Sequence, residues 1–121
     1  MKFTIPLAPI TKKNHQQIIY NKKTRRPMVI PSKEYINYER QVGCFIPFMN
    51  TIDTPVNVKA VFYMPTRRRV DLVNLQEALL DILVKYEVIS DDNCKIVASM
   101  DGSYVDYDKY NPRTEVEICQ K

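Results

Sequence analysis

Two groups of aspartates in the middle of the chain are the residues best suited to chemistry. Asp71 directly follows a valine and an arginine run, and the pair Asp91 and Asp92 comes about twenty residues later. Converging carboxylates repel one another and raise each other's pKa unless a cation lies between them. Mg²⁺, or Mn²⁺ in its place, is held by one or two carboxylates and takes its other ligands from water and phosphate. We therefore expect a divalent metal site that joins Asp71 and Asp92, if the chain returns beside the helix that Asp71 opens.

The arginine run before Asp71 would bring a phosphodiester to that metal. Guanidinium groups bind phosphate and oppose the negative charge that develops in the transition state. A bound Mg²⁺ would polarise a phosphoryl oxygen and activate a water for in-line attack. The segment therefore predicts phosphodiester hydrolysis, with phosphate bound by Arg67, Arg68 and Arg69.

Each of these motifs also has an ordinary structural explanation. Aspartate is a common N-cap residue of helices, and Asp-Asp-Asn is a common turn sequence. An arginine run on its own is more often a solvated loop. The chemistry depends on the motifs acting together.

The distribution of charge points to a polyanionic partner. The net charge is only +4, but residues 1–70 hold thirteen Lys/Arg and three acids, whereas residues 71–121 hold five Lys/Arg and eleven acids. A solubilising surface normally mixes both signs, so this separation favours nucleic acid binding next to an acidic pocket. We expect contacts to the DNA backbone from six residues of the first basic segment: Lys12, Lys13, Lys22, Lys23, Arg25 and Arg26.

Hydrophobic periodicity predicts an α+β fold, a mixed sheet of about five strands with two main helices. We expect a first strand over 3–10, a hairpin with a basic tip around 21–26, and a helix capped by Ser32 whose apolar stripe reaches Met49. A strand from Val56 follows and stops at Pro65. A second helix runs from Asp71 to about Tyr86, and strands at 95–100 and 114–119 enclose a loop over 101–112.

The second helix has more apolar surface than one buried face requires. Leu75, Leu79 and Ile82 fall on one face, and a polar stripe (Asn74, Glu77, Asp81, Lys85) lies opposite. Val73, Leu80 and Val84 form a third strip between the two. This strip predicts either a partner surface, for example in a homodimer, or simply wider burial.

Composition limits the other possibilities. The 121 residues predict a single domain over 1–121. No apolar run approaches a membrane span, and the N-terminus lacks a signal-peptide core, so we expect a cytoplasmic protein that does not bind membranes. One histidine makes a zinc site improbable. We expect the three cysteines, Cys44, Cys94 and Cys119, to be buried in a reducing compartment.

Residues 67–96 resemble the RusA family of Holliday junction resolvases. That family's pattern is a basic run, then D-x-D-N opening a helix, a lysine one turn later, and D-D about twenty residues after the first aspartate. Asp71, Asn74 and the pair Asp91-Asp92 match it, and the likeness extends more loosely to the basic loop around Lys12 and to the helix from Ser32. The resemblance implies a homodimeric, Mg²⁺-dependent nuclease, of a kind common in prophages, that nicks four-way DNA junctions symmetrically in recombination and repair. It also implies catalytic roles for Asp71, Asp91 and Asp92, with Asn74 in support.

Two positions depart from the pattern. Val73 replaces the second aspartate, and Glu77 replaces the lysine. Because positions 73 and 77 are neighbours on one helical face, Glu77 is our candidate to restore the lost catalytic and metal-binding carboxylate, with Asp101 as another candidate. The alternative is that Glu77 is only a surface residue, and Lys95 is a candidate for the role of the lysine. The departures also leave open a non-catalytic protein that binds branched DNA, or a fold relative with no nucleic-acid role.

Overall fold

The computed structural model describes residues 1–12 and 16–121, which contain seven strands and two α-helices. The strands are β1 (Lys2–Ile5), β2 (Gln16–Asn21), β3 (Arg26–Pro31), β4 (Val56–Met64), β5 (Val97–Ser99), β6 (Tyr104–Tyr107) and β7 (Arg113–Gln120). The helices are α1 (Lys33–Val42), followed by a 3₁₀ turn (Gly43–Phe45), and α2 (Leu72–Lys85).

A mixed five-stranded sheet forms the framework, with β4 as its longest strand. β7 pairs antiparallel with β4 on one side and with β1 on the other. β5 and β6 both pair parallel with β4 along its opposite edge, β5 near Val56 and β6 near Met64. The predicted α+β fold, with two helices and a five-stranded mixed sheet, is confirmed.

The side chain of Asn57 links β5 and β6 along that edge. Its Oδ1 accepts from Ser99 Oγ at 2.5 Å and from the Asp101 backbone N–H at 2.8 Å, and its Nδ2 donates to the Asp101 carbonyl. Gly102 follows with a φ of 85°, a conformation in which a Cβ would be strained. The segment predicted as a loop over 101–112 therefore contains the strand β6. Its Asp and Tyr content is typical of a loop and did not predict this strand.

Both helices cover one face of this sheet. Alternate residues of β4 point toward them and are buried, whereas β4 residues such as Lys59 point to the other face. The predicted inner face of α2 is also buried, with Leu83 and Leu75 at 0% and 1% exposure. This core fixes where each end of α2 lies relative to β4.

Strands β2 and β3 form a separate hairpin, as predicted. At its tip, Asn21 Oδ1 accepts from the Lys23 and Thr24 backbone N–H groups at 2.9 and 3.3 Å, and Arg25 has a φ of 55°. Apolar side chains remain exposed along the hairpin, Tyr20 at 62% among them.

Three further expectations are corrected. β1 ends at Ile5, before Pro6, because proline cannot donate to a ladder. Helix α1 ends at Val42, whereas the sequence predicts an end near Pro47. A Cβ at Gly43 would lie 2.7 Å from the Tyr86 ring, so only a glycine fits where the chain passes that ring. All three cysteines are free but exposed, not buried.

Candidate active site and nucleic-acid interface

Asp71 occupies the N-cap position of α2, as predicted, but its side chain does not cap the helix. The carboxylate is exposed, and its Oδ2 accepts from Asn74 Nδ2 at 3.3 Å. An N-cap aspartate normally accepts from the N–H of the second or third helical residue. Here Asn74, in the first turn of α2, bonds the carboxylate instead, and its supporting role stays a prediction.

The arginine run, Arg67–Arg69, places positive charge just after the C-terminal end of β4 at Met64. Arg68 and Arg69 line a cavity of about 550 Å³ together with the segment Ala8–Thr11. The lining of this cavity also includes Val70 and Leu75, on either side of Asp71 in the chain. The Arg67 guanidinium lies 4.3 Å from the centre of the Tyr107 ring, beside a smaller hollow of about 240 Å³. A phosphate entering this cleft would meet the side chains of Arg68 and Arg69, which precede Asp71 by three and two residues in the chain.

Asp91 and Asp92 have different surroundings within their turn. Asp91 Oδ1 accepts from the Asp92 backbone N–H at 2.7 Å, and its Oδ2 accepts from Asn93 Nδ2 at 3.1 Å. Both oxygens of Asp91 therefore hold the turn together. Within residues 1–12 and 16–121, no donor reaches the exposed Asp92 carboxylate. Of the pair, Asp92 is the one available to a ligand.

Asp71 and Asp92 lie at opposite ends of β4. The chain reaches Asp71 after leaving β4 at Met64, whereas the Asp92 turn leads to Ile96, whose carbonyl accepts from the Val56 N–H at 2.8 Å. Helix α2 runs back between them; its 14 residues at about 1.5 Å per residue make it about 20 Å long. One Mg²⁺ holds its ligands at about 2.1 Å, so it cannot bridge the two carboxylates of one chain.

Among the described residues, no other acid of the same chain completes a site at either end. Within these ranges, no three His, Cys, Asp or Glu side chains lie together as a metal site requires. Asp101 lies at the β5–β6 turn, where its carboxylate pairs with Lys121 at 3.7 Å. Lys95 is exposed in the turn after Asn93, away from Asp71. The described residues of one chain therefore do not fit a resident divalent metal.

A charged stripe follows the outward side of α2. Asp81 pairs with Lys12 at 3.8 Å, and Lys85 pairs with Glu39 of α1. Partial burial raises the pKa of Asp81; Lys12 opposes this, and the nearby carboxylates of Asp92, Glu77 and Glu39 add to the rise. This stripe therefore places Asp92 near the C-terminal half of α2, and it ties Lys12 to the helix.

The remaining predicted DNA contacts lie at the hairpin tip. Lys22, Lys23, Arg25 and Arg26 are all exposed there. Lys13, the sixth residue of the predicted set, lies outside the described residues, as does the single histidine, His15. The described part of the basic set thus forms two regions, the hairpin tip and the Lys12 position beside α2.

Comparison with protein families decides the relationship. The family model for endodeoxyribonuclease RusA matches residues 6–119 of the chain. The chain belongs to the RusA family. No curated protein sequence matches it. The RusA match covers both aspartate groups, the arginine run and the hairpin, and it makes endonuclease chemistry on DNA junctions the activity associated with this fold. In the described residues, neither helix is long and apolar enough to cross a membrane.

Sequence reasoning missed two contacts between an arginine and a tyrosine ring. The Arg67 guanidinium stacks on the Tyr107 ring. The Arg113 guanidinium lies 3.8 Å from the centre of the Tyr63 ring and also forms ion pairs with Asp108 and Glu115, each at 2.9 Å. An arginine paired with a tyrosine on another strand leaves no local pattern in the sequence, because the pairing is set by strand register. Tyr107 fell within the loop predicted over 101–112, and a tyrosine in a loop carries no such signal.

Proposed function

We propose that this RusA-family chain is a structure-selective endodeoxyribonuclease that resolves four-way DNA junctions by paired nicks, as a homodimer in the cytoplasm, in recombination and repair. The observation that carries this proposal is the exposed Asp71 carboxylate, which does not cap its helix and follows an arginine run whose Arg68 and Arg69 line a cleft. Such a carboxylate could supply one ligand to a divalent metal, and the guanidinium groups could bind the phosphate to be cleaved.

The basic residues have the separate task of holding DNA. Contacts to phosphates fix the position of a duplex and carry little sequence information. Cations at the hairpin tip and in the Arg67–Arg69 segment lie on two different elements, which suits a branched substrate more than one straight duplex. Mg²⁺, or Mn²⁺ in its place, is the expected cofactor, although the described residues of one chain do not assemble its ligands.

Glu77 stays a candidate for the carboxylate that Val73 lacks. It lies on α2 six residues after Asp71 and close enough to Asp81 to raise the pKa of that residue. If Glu77 is a metal ligand, Glu77→Gln should slow junction cleavage by roughly a hundredfold, the scale of losing one electrostatic group in a catalytic site. A Glu77→Gln protein that cleaves at the wild-type rate would show that Glu77 is only a surface residue.

The function is tested with a labelled synthetic four-way junction and a linear duplex of the same arm sequence. We expect paired nicks in the junction with Mg²⁺ or Mn²⁺, none in EDTA, and little cleavage of the duplex. Asp71→Asn should abolish the nicks, and Asp53→Asn, at an exposed acid before β4, serves as the matched control that retains them. A wild-type protein that nicks both substrates equally, or that nicks in EDTA, would contradict the proposal.

A second candidate is a branched-DNA-binding protein of the same fold without catalysis. The exposed Val73 at a position where RusA proteins have an aspartate, together with the scattered acids among the described residues, favours it. The same experiment separates the two, because tight junction binding in a gel-shift assay without any cleavage would support the binder.

A further inference from the structure

One face of the β2–β3 hairpin is apolar and exposed to solvent. Residues directly opposite one another in an antiparallel pair share a face, and every second residue of each strand returns to that face. The register pairs Ile18 with Val29 and Tyr20 with Pro27, so these four side chains form one surface, which we call the outer hairpin face. Ile18 is 74% exposed, and Tyr20 and Val29 are each 62% exposed.

Burial against the rest of the fold does not account for this surface. Among the described strands, β2 and β3 pair with each other and with no strand of the main sheet. The opposite face of the hairpin, which carries Ile19 and Met28, is less exposed, at 41% and 40%. Contiguous apolar side chains that a protein leaves in water usually mark a binding surface. The outer hairpin face therefore has a ligand rather than a place in the core.

The charges next to this face indicate which ligand it binds. The tip that follows Tyr20 carries four exposed cations, Lys22, Lys23, Arg25 and Arg26. Asn21 Oδ1 accepts from the Lys23 and Thr24 backbone N–H groups and so fixes the backbone of the tip relative to Tyr20. An apolar and aromatic face beside cations suits a polyanion that also has flat apolar rings, which is a nucleic acid with accessible bases.

We propose that the outer hairpin face binds bases left unstacked at the branch point of the DNA, with the Tyr20 ring stacked on one base and the tip cations on the adjoining phosphates. This inference rests on the nuclease function proposed above, because it names the part of the branched substrate that the hairpin binds. In a continuous duplex each base is covered by its neighbours on both sides, whereas the stack is interrupted at a branch point. Apolar side chains that enter such a gap replace the lost stacking.

The same charges disfavour a second copy of the hairpin as the occupant. Residues 1–33 contain eight Lys/Arg and no acid. Two hairpins packed through their outer faces would bring like charges together without any carboxylate between them. A nucleic acid supplies the opposite charge at every phosphate.

A single tryptophan placed on this face tests the stacking directly. The chain contains no tryptophan, so Tyr20→Trp introduces one fluorophore at the proposed contact. A base stacked on an indole ring quenches its emission. We expect a four-way junction in EDTA, where no cleavage occurs, to quench most of the emission, and a linear duplex of the same arm sequence to quench little. Inorganic polyphosphate carries the charge without bases and should leave the emission nearly unchanged.

Phe48→Trp is the matched control. Phe48 is fully exposed, and it lies in the segment 41–58, which contains no Lys or Arg. Its tryptophan should keep its emission when the junction binds. Equal quenching of the two tryptophans would show that exposure of an aromatic ring, rather than its place beside the tip cations, decides the signal, and would overturn the proposal.

The energetic counterpart is measured with two further variants. Tyr20→Leu keeps an apolar side chain but removes the ring, and it should lower the affinity for the junction about five- to a hundredfold, the range for loss of one base–aromatic stack. Tyr20→Phe keeps the ring and should bind like the wild type. Neither change removes a charge, so the salt dependence of binding should stay the same in both. A Tyr20→Leu protein with wild-type affinity would refute the stacking.

The remaining outcomes separate this inference from the nuclease function. A wild-type protein that nicks junctions while Tyr20→Trp stays unquenched would overturn the stacking and leave the nuclease in place. Quenching by the junction in a protein that never cleaves would remove the nuclease and keep the stacking. Equal quenching by the duplex or by polyphosphate would overturn the proposal, as would an emission shift that grows with protein concentration without DNA, because a second copy would then cover the face.

Discussion

At the scale of single residues, local hydrogen bonds decide which carboxylates are available for chemistry. Asp91 uses both oxygens in its own turn, whereas the neighbouring Asp92 presents its carboxylate to solvent. Asp71 stands at a helix start without capping it. The sequence pattern marks all three positions equally, and only the hydrogen bonds separate structural aspartates from available ones.

The pH dependence of stability is another property of single residues. Asp108 Oδ2 accepts from Arg113 at 2.9 Å, and its Oδ1 accepts from the Tyr110 and Asn111 backbone N–H groups. The Arg113 hydrogen bond, aided by those of the backbone, holds the pKa of Asp108 below its usual value of 3.8. A depressed pKa stabilises the fold above the ordinary value, and this stabilisation is lost as the pH falls through the lowered one.

We therefore expect Asp108→Asn to lower the Tm at pH 7, with the difference from the wild type shrinking as the pH falls below about 3.8, the pKa of an unperturbed aspartate. Thermal melts at a series of pH values measure this. Asp53→Asn, at an exposed acid that makes no such bond within the described residues, should give a curve parallel to that of the wild type. Equal Tm values for Asp108→Asn and the wild type at pH 7 would show that the Arg113 contact contributes no stability.

At the scale of elements, the β2–β3 hairpin projects as its own small sheet. It belongs to the first 33 residues, which contain eight Lys/Arg and no acid. An isolated two-stranded hairpin is only marginally stable in water. Because this hairpin forms its own sheet beside the main one, we expect it to serve binding rather than stability. Its exposed cations make backbone contact with DNA the use that its chemistry supports.

For the hairpin, we predict that Lys22→Gln/Lys23→Gln weakens junction binding and reduces its dependence on salt. Each DNA phosphate that a lysine no longer neutralises lowers the slope of log affinity against log salt by about 0.9, so the slope of the double variant should fall by about 2. Fluorescence anisotropy at several salt concentrations measures the slope. Lys2→Gln/Lys121→Gln removes the same charge from residues paired with Glu117 and Asp101, and it should leave the slope nearly unchanged. An equal fall in both double variants would mean that only net charge matters.

At the scale of the whole molecule, one hydrophobic core joins α2 to the sheet and so fixes the positions of both ends of the helix. Residues from both helices, β1, β4 and β7 meet in it, and Leu83 at its centre is fully buried. The opposite face of the sheet carries charged residues around a shallow hollow of about 370 Å³. The fold therefore has two layers, the sheet and the helices. One face of α2 is buried in the core, and its other face is exposed.

We expect Leu83→Ala to lower the free energy of unfolding by about 2–5 kcal/mol, since it leaves a cavity where the core closes on α2. Urea denaturation measures the loss. Val73→Ala, on the same helix but 68% exposed, is the control and should change the stability of one chain by less than about 0.5 kcal/mol. A Leu83→Ala loss as small as that of the control would mean that α2 is not anchored by this core.

The sequence by itself determined most of the elements and the family. Periods of two and of 3.6 residues depend on local geometry, so β4, α2 and the hairpin were predictable, and Ser32 caps α1 as expected, accepting from the Tyr35 N–H at 3.2 Å. The spacing of the aspartates and arginines marked the residues of the RusA pattern. Strand β6 was not predictable, because a strand of four residues is stabilised by pairing with β4 rather than by its own composition.

Only the tertiary structure decided where those residues lie relative to one another. Asp71 and Asp92 belong to one motif in the sequence, but they lie on either side of α2, a helix about 20 Å long. The exposure of the cysteines and the stacking of Arg67 on Tyr107 were likewise decided by packing. Residue type and spacing determine which chemistry a chain is able to do, whereas the distances between its groups come from how strands and helices cross, and that is a property of the whole fold.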